Sequence, residues 1–309
     1  MILVTGAMGR IGSAAVASLH QRGIPTRALV PSRCRVPWLA EYLPDLVEGD
    51  CEDPLRLTRA LEGVQAVILV ARPSADQVAV QQRVIDACVE RGITRIVKLS
   101  VAGADEHARA DAARWHWRAE QHLREAAAEP CIVRAGRTMQ DLLPQSTLML
   151  SHHMLCGCQG DGLAADVDAR DVGAVLAGLA TSPEVPEAPL LVTGPSALSR
   201  QEMAATLGRA LGISLRYVPC TPAEMEQVLL TAGITQWQVD DLVAYEAAAA
   251  EGRWQQVTDA VPRWSGRPAR SFAQFANELA TSLHYQHYLP EARGSIISAL
   301  PPEVAMADA

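Results

Sequence analysis

Lysine is almost absent from this chain. Among 309 residues it occurs once, at Lys98, and Lys plus Arg number 27 against 35 Asp plus Glu, a formal net charge of -8. A chain so short of clustered cations lacks what nucleic-acid binders draw on for non-specific affinity, which excludes DNA or RNA as the expected partner. Long apolar runs are also missing: none approaches the roughly 20 residues of a membrane span. No charged, cleavable leader precedes the first apolar residues, so a soluble, cytoplasmic protein is expected. The seven cysteines are odd in number and widely spread, unlike a small disulfide scaffold, and suit a reducing compartment. What remains, 49% hydrophobic and 20% charged, is ordinary globular composition, without signs of disorder or fibrous repeats. The length allows about two domains of ~150 residues.

Apolar periodicity gives the organisation. Ile2 to Thr5 is β-prone, and Ile11 to Arg22 carries apolar residues at helical spacing up to Gly23. Further strands are expected at Thr26 to Val30, Ala66 to Val70, Arg95 to Leu99 and Cys131 to Arg134. Between them, helices are expected at Pro54 to Leu61 after an Asp53 cap, at Gln77 to Arg91, and at Glu106 to Ala128. Alternating helices and wholly apolar strands predict an α/β fold, a doubly wound parallel sheet of Rossmann type. Residues 135 to 165 show weak periodicity and read as loops and short elements at a cleft. Helices follow at Asp171 to Ala180 and at Ser199 to Leu211, left through Gly212, with a strand at Leu190 to Val192 and more helices to Leu283. The expected division is a nucleotide-binding domain over 1–150, a smaller, mostly helical, partly intermixed substrate-binding region over 151–286, and a mobile tail over 287–309.

Gly6, Gly9 and Gly12 stand between the first strand and the first helix. A diphosphate needs a tight turn, close backbone approach and free N–H groups at a helix N-terminus, which this spacing supplies in strand-turn-helix context. The bland alternative is a merely tight turn. The turn's backbone makes Met8, Arg10 and Ile11 candidate contacts as well. After the second strand the sequence runs Val30-Pro31-Ser32-Arg33-Cys34-Arg35, without a carboxylate to take a ribose 2′-hydroxyl. Arg10, Arg33 and Arg35 are candidate cations for a 2′-phosphate, so NADP(H) is favoured over NAD(H). Each arginine taken alone could equally be solvated. Asp50, beside Cys51, could accept from an adenine amino group or merely cap a turn. Val70, Ala71 and Arg72, after the strand at 66 to 70, should border the diphosphate and ribose.

These features occur with Glu48-Gly49-Asp50, Val97-Lys98-Leu99-Ser100, Arg114-Trp115-His116 with Glu120, Asp168-Ala169-Arg170-Asp171-Val172, Thr193-Gly194-Pro195, and Thr258-Asp259 before Gly266-Arg267-Pro268. In that order, over roughly residues 1 to 280, the chain resembles the NmrA-like, atypical short-chain dehydrogenase/reductases. The resemblance implies NAD(P)H-dependent reduction of quinones, ketones or conjugated double bonds, or a redox-sensing regulator with little turnover.

Ordinary short-chain reductases activate a Tyr with a Lys four residues later. Here the sole lysine follows Thr94, so no Tyr-x-x-x-Lys exists. His116 and Glu120 instead lie at i and i+4 on one helix face. A histidine tuned near neutrality, oriented by Glu120, could pass a proton; a surface helix pair is the alternative. Relatives of the isoflavone-reductase kind carry Lys where His116 stands. Lys98 and Ser100 end the strand beside which the nicotinamide should lie, and either could touch ribose or the carboxamide. The substrate wall is expected from Val101, Arg137, Met139, Gln140 and Leu143, a largely apolar set that suits a small apolar or aromatic substrate. His152, His153, Cys156 and Cys158 lack zinc-site spacing, so no metal is expected.

The expected function is therefore an NAD(P)H-dependent reductase of an apolar carbonyl, quinone or conjugated substrate, acting as monomer or homodimer. The alternatives are a nucleotide-sensing regulator, and an isomerase or cyclase on the same scaffold. Arginine in place of nearly all lysine, with abundant alanine, suggests a GC-rich genome, a setting in which such reductases often serve specialised metabolism.

Overall fold

The computed structural model describes residues 1–31, 45–72, 74–126 and 129–288. Seven strands form one parallel sheet: β1 (Ile2–Val4), β2 (Thr26–Val30), β3 (Leu46–Glu48), β4 (Ala66–Leu69), β5 (Arg95–Val101), β6 (Glu129–Ala135) and β8 (Leu190–Val192). Their spatial order is β3-β2-β1-β4-β5-β6-β8. The chain winds outward from β1 to β3, then returns to β4 on the other flank of β1. That reversal opens a crevice between the carboxyl ends of β1 and β4, where ligands of doubly wound sheets bind.

The expected α/β fold is the fold observed, and strand alternation shows why. On one face Val4, Ile68, Val97 and Val133 pack against α1 (Arg10–Gln21) and, from beyond residue 150, α6 (Ala169–Thr181) and α10 (Ala260–Ser265). On the other, Leu3, Val67, Leu69, Ile96 and Ile132 pack against α2 (Pro54–Ala60), α3 (Gln77–Glu90) and α4 (Asp111–Ala126). With both faces covered, the strands are apolar at nearly every position.

Between β6 and α6 stand a 3-10 helix (Met139–Gln145), α5 (Ser146–His152) and β7 (Met154–Gly157). The last pairs in parallel with β9 (Arg216–Pro219). Helices α7 (Arg200–Leu211), α8 (Pro222–Thr231), α9 (Gln236–Ala250) and α11 (Phe272–Tyr288) complete the described elements. Local chemistry sets several boundaries as expected. Asp53 caps α2 by accepting from Leu55 and Arg56 N–H, Ser199 and Glu202 form a capping box on α7, and Gly212 closes α7 at φ 70°.

Three expectations differ from the structure. The helix expected from Glu106 begins at Asp111, because the Asp105 carboxylate accepts from His107 N–H and turns the chain there. The short strands β3, β7 and β9 were not expected. Residues 287 and 288, placed in the tail, end α11; the rest of that tail lies outside the described residues.

Candidate active site

The turn from β1 into α1 has the geometry its glycines promise. Gly6 has φ 60°, and a Cβ there would stand 2.5 Å from the Val70 carbonyl oxygen. A Cβ at Gly12 would stand 2.1 Å from the Gly6 carbonyl oxygen, so helix and turn can approach this closely only through glycine. Gly9 differs: it is exposed, and its Cβ would meet only the Gly6 oxygen, at 3.4 Å. It is the N-cap of α1, no side chain caps the helix there, and no acid occupies the first turn. The first N–H groups of α1 therefore face an open cradle at the positive end of a helix, a fit to a pyrophosphate. Thr5 fixes the crevice beneath it: its hydroxyl donates to the Val70 carbonyl at 2.8 Å and accepts from Val70 N–H at 3.0 Å.

Around this cradle Met8 and Ile11 are half-buried against the core, Val70 is buried, Ala71 half-buried and Arg72 exposed. Arg10 is paired with Asp141 at 3.2 Å, each about one-third exposed. Asp50 is exposed and accepts from Glu52 N–H at 3.1 Å, which is the turn-capping role. Cys51 is half-buried, and burial, then Asp50, push its thiol up to about 12. Arg33 and Arg35 lie outside the described residues.

The second cluster lies on the other side of β5. Lys98 and Ser100 follow Ile96 on the face covered by α4, and the β5–β6 register sets Ser100 beside Arg134. Neither Lys98 nor Ser100 has any exposed surface. The Nζ of Lys98 lies 3.0 Å from Nδ1 of His116 and donates to the Leu99 carbonyl at 3.0 Å. Burial lowers the Lys98 ammonium to about 7, against a counter-pull from Glu120. Burial, then Lys98, lower the His116 imidazole well below 6.5, so the ring is neutral at pH 7.

The paired roles expected of His116 and Glu120 need correction. Glu120, fully buried, accepts from the Ser100 hydroxyl at 2.6 Å, from Arg134 at 2.9 and 2.7 Å, and from Arg124 at 3.2 Å. Lys98, not Glu120, contacts the imidazole, and the group brought near neutrality is the amine. Ser100 and Lys98 bond within the protein rather than into the cleft. Arg134 and Arg124 were overlooked; the polar interruption of an apolar face at Lys98, Ser100 and Arg134 was the available signal.

Most of the expected acceptor wall also lies inside. Arg137 donates to Asp166 at 3.0 and 2.7 Å and to Glu246 at 3.1 Å, wholly within the protein. Gln140 accepts from Ala169 N–H at 3.0 Å, and Met139 and Leu143 pack in a second core with Met203 and Phe275. These four are occupied by packing and ion pairing; Val101 alone of the set is half-exposed. Four half-buried aromatics instead gather around α9. Trp115 of α4 meets Trp237 at 5.8 Å between ring centres, and Tyr245 stacks on Trp254 at 5.0 Å. Asp241, on the same helix, accepts from Ala112 N–H at 3.3 Å, and burial pushes its carboxyl up to about 6. No local sequence signal connects α9 with α4.

Among the described residues no three His, Cys, Asp or Glu side chains stand together as a metal site, and no helix is long and apolar enough to cross a membrane. His153 is the left-handed C-cap of α5, and Cys156 is buried in β7.

Residues 6–183 match the NAD(P)H-binding family. The chain is 32% identical over 282 residues to the NAD(P)H azoreductase of Xenophilus azovorans, covering 91% of this chain and 99% of that protein. It is 30% identical over 294 residues to the (4-alkanoyl-5-oxo-2,5-dihydrofuran-3-yl)methyl phosphate reductase of Streptomyces griseus, covering 94% and 100%. In fold it is similar to the NADPH-dependent quinone oxidoreductase of Escherichia coli complexed with NADPH, with TM-score 0.81, 23% identity and coverage of 90% and 99%. A match across more than half the chain, joined to the glycine cradle at the sheet's switch point, shows that the chain belongs to the NAD(P)H-binding family.

Proposed function

We propose that the protein is an NAD(P)H-dependent reductase of flat, apolar, conjugated acceptors: quinones, activated carbonyls or azo compounds. The observation that carries the reading is the uncapped N-terminus of α1 at Gly9, open to a ligand and bordered by glycines that let the backbone reach it. Bound there, a reduced nicotinamide dinucleotide supplies hydride from C4 of its ring.

The chain's own residues do the rest. The amides of α1 and the turn hold the diphosphate, and Gly6 and Thr5 keep β1 and β4 close beneath it. Residues 1–150 make up most of the nucleotide half and residues 151–286 most of the acceptor half, intermixed through β8, α6 and α10, with α9 bringing Trp237 against Trp115 and the Tyr245 hydroxyl against Arg137 N–H. Flat aromatic walls favour a planar acceptor by stacking and exclude water from it. Reductases of azo and quinone compounds among the relatives agree with that choice. NADPH is preferred over NADH, because no carboxylate follows β2 while Arg33 and Arg35 do, and Arg10 opens α1.

The test is steady consumption of NADPH at 340 nm by pure protein with 1,4-naphthoquinone or methyl red. Turnover supports the reductase. Nucleotide binding without consumption across a broad acceptor panel assigns the sensing role instead.

A further inference from the structure

Every residue of Lys or Arg type in this chain is arginine except the one at position 98. Arginine cannot release its proton at any ordinary pH, whereas a buried lysine can. The exception falls among the apolar side chains Leu69, Ile96 and Ile132 of a face of β5 and β6 whose other polar members, Ser100 and Arg134, both bond Glu120. A side chain needed there only for packing would be apolar like these, since an unpaired buried ammonium is destabilising.

The charges facing this amine are Glu120 and Arg124 from α4 and Arg134 from β6, with Ser100 on its own strand and only Leu69 from β4. Glu120 attracts the ammonium but hydrogen-bonds Arg134, Arg124 and Ser100, so it tunes Lys98 without pairing with it. What Lys98 touches is a carbonyl oxygen and His116 Nδ1. Since Nδ1 accepts from the ammonium, the proton of the neutral ring sits on Nε2. Lys98 has no exposed surface and the imidazole it touches belongs to a half-buried residue, so of the two His116 is the one that reaches the surface.

We propose that Lys98 is the proton store of the reductase site and His116 its relay. As the hydride-receiving acceptor takes the proton of His116 Nε2, a proton passes from Lys98 Nζ to His116 Nδ1. The substrate has then gained one hydride and one proton, the ring is neutral again, Lys98 is a neutral amine, and solvent later reprotonates the pair. Lys98 acts through His116 and is a positioning residue. The inference rests on the reductase reading.

Because lysine occurs once, protein grown on lysine labelled with 13C at Cε gives a single side-chain resonance. A titration midpoint near pH 7 is expected; a midpoint near 10 or above overturns the proposal. Activity with NADPH and methyl red supplies the second measurement. In the wild type kcat/KM should fall as pH rises above about 7, where the amine is unprotonated. Lys98→Met should lose that alkaline limb and fall about 10²-fold in kcat at pH 6, with KM for NADPH unchanged. Lys98→Arg should be as slow, since its charge is kept but its proton is not released. Turnover whose alkaline limb survives in Lys98→Met overturns the relay and leaves the reductase standing. Absence of turnover with methyl red and every other acceptor overturns both. If Lys98→Met does not fold, the Arg variant and the wild-type titration decide.

Discussion

The guanidinium of Arg137 meets the carboxylate of Glu246 at 3.1 Å inside the protein, joining the end of β6 to α9. Arg200 bonds the same carboxylate, whose other oxygen accepts from Cys158 N–H at 2.6 Å. Although burial opposes it, Arg200 and Arg137 hold the Glu246 carboxyl below its usual range. Four chain segments thus converge on one side chain.

Glu246→Gln would leave two buried guanidinium groups short of charge. Breaking such a pair costs about 3–5 kcal/mol. The midpoint of urea unfolding should fall accordingly, with the slope little changed; a loss below about 1 kcal/mol would refute the hub. Because the folded-state pKa is depressed, this stabilisation is present above the carboxyl's ordinary 4.5 and is lost as pH falls through the folded value.

Alanine at the glycine turn should separate folding from binding. Gly12→Ala drives Cβ into backbone that cannot retreat, so a loss of at least about 1–3 kcal/mol is expected in thermal unfolding. Gly9→Ala meets only the Gly6 carbonyl oxygen, at 3.4 Å, and should keep its melting temperature within a few degrees. Its methyl group protrudes into the cradle, so NADPH affinity should drop tenfold or more, which is at least about 1.4 kcal/mol. Equal losses of stability in both variants would contradict this geometry.

Lys98 makes folding pH-dependent in an unusual direction. Its pKa in the folded protein, about 7, lies below the ordinary 10.5. Between those values the unfolded chain binds more protons, so stability rises with pH across that window. Lys98→Met should therefore be more stable than wild type by roughly 1–4 kcal/mol at pH 6, with the advantage shrinking toward pH 10. Chemical denaturation at both pH values checks it, and a gap that widens with pH would contradict the burial of the charge.

Glu120→Gln removes the carboxylate that supports the Lys98 ammonium. The lysine resonance should then titrate below its wild-type midpoint, since burial, Arg134 and Arg124 all act in that direction. An upward shift would place Glu120 outside the field of Lys98.

Many elements were legible because their signals are local. Thr26–Val30 and Leu190–Val192 are short apolar runs between breakers, and Ser199 and Gly212 mark the ends of α7 through their own side chain and backbone. Strands β3, β7 and β9 hold only three or four residues each, too few to show a period. The His116–Glu120 spacing did place both groups on α4. Their partners, however, come from the β5–β6 register, where Arg134 stands opposite Ser100. The Arg137–Glu246 pair and the approach of Trp237 to Trp115 span more than a hundred residues, and only tertiary packing creates them.

Calorimetric titration of the wild-type protein with NADPH and then NADH tests the nucleotide cradle most directly. Saturable binding of one NADPH per chain is expected, with a Kd of roughly micromolar order, weaker for NADH and weakened in Gly9→Ala. No heat from either dinucleotide at millimolar concentration would contradict it.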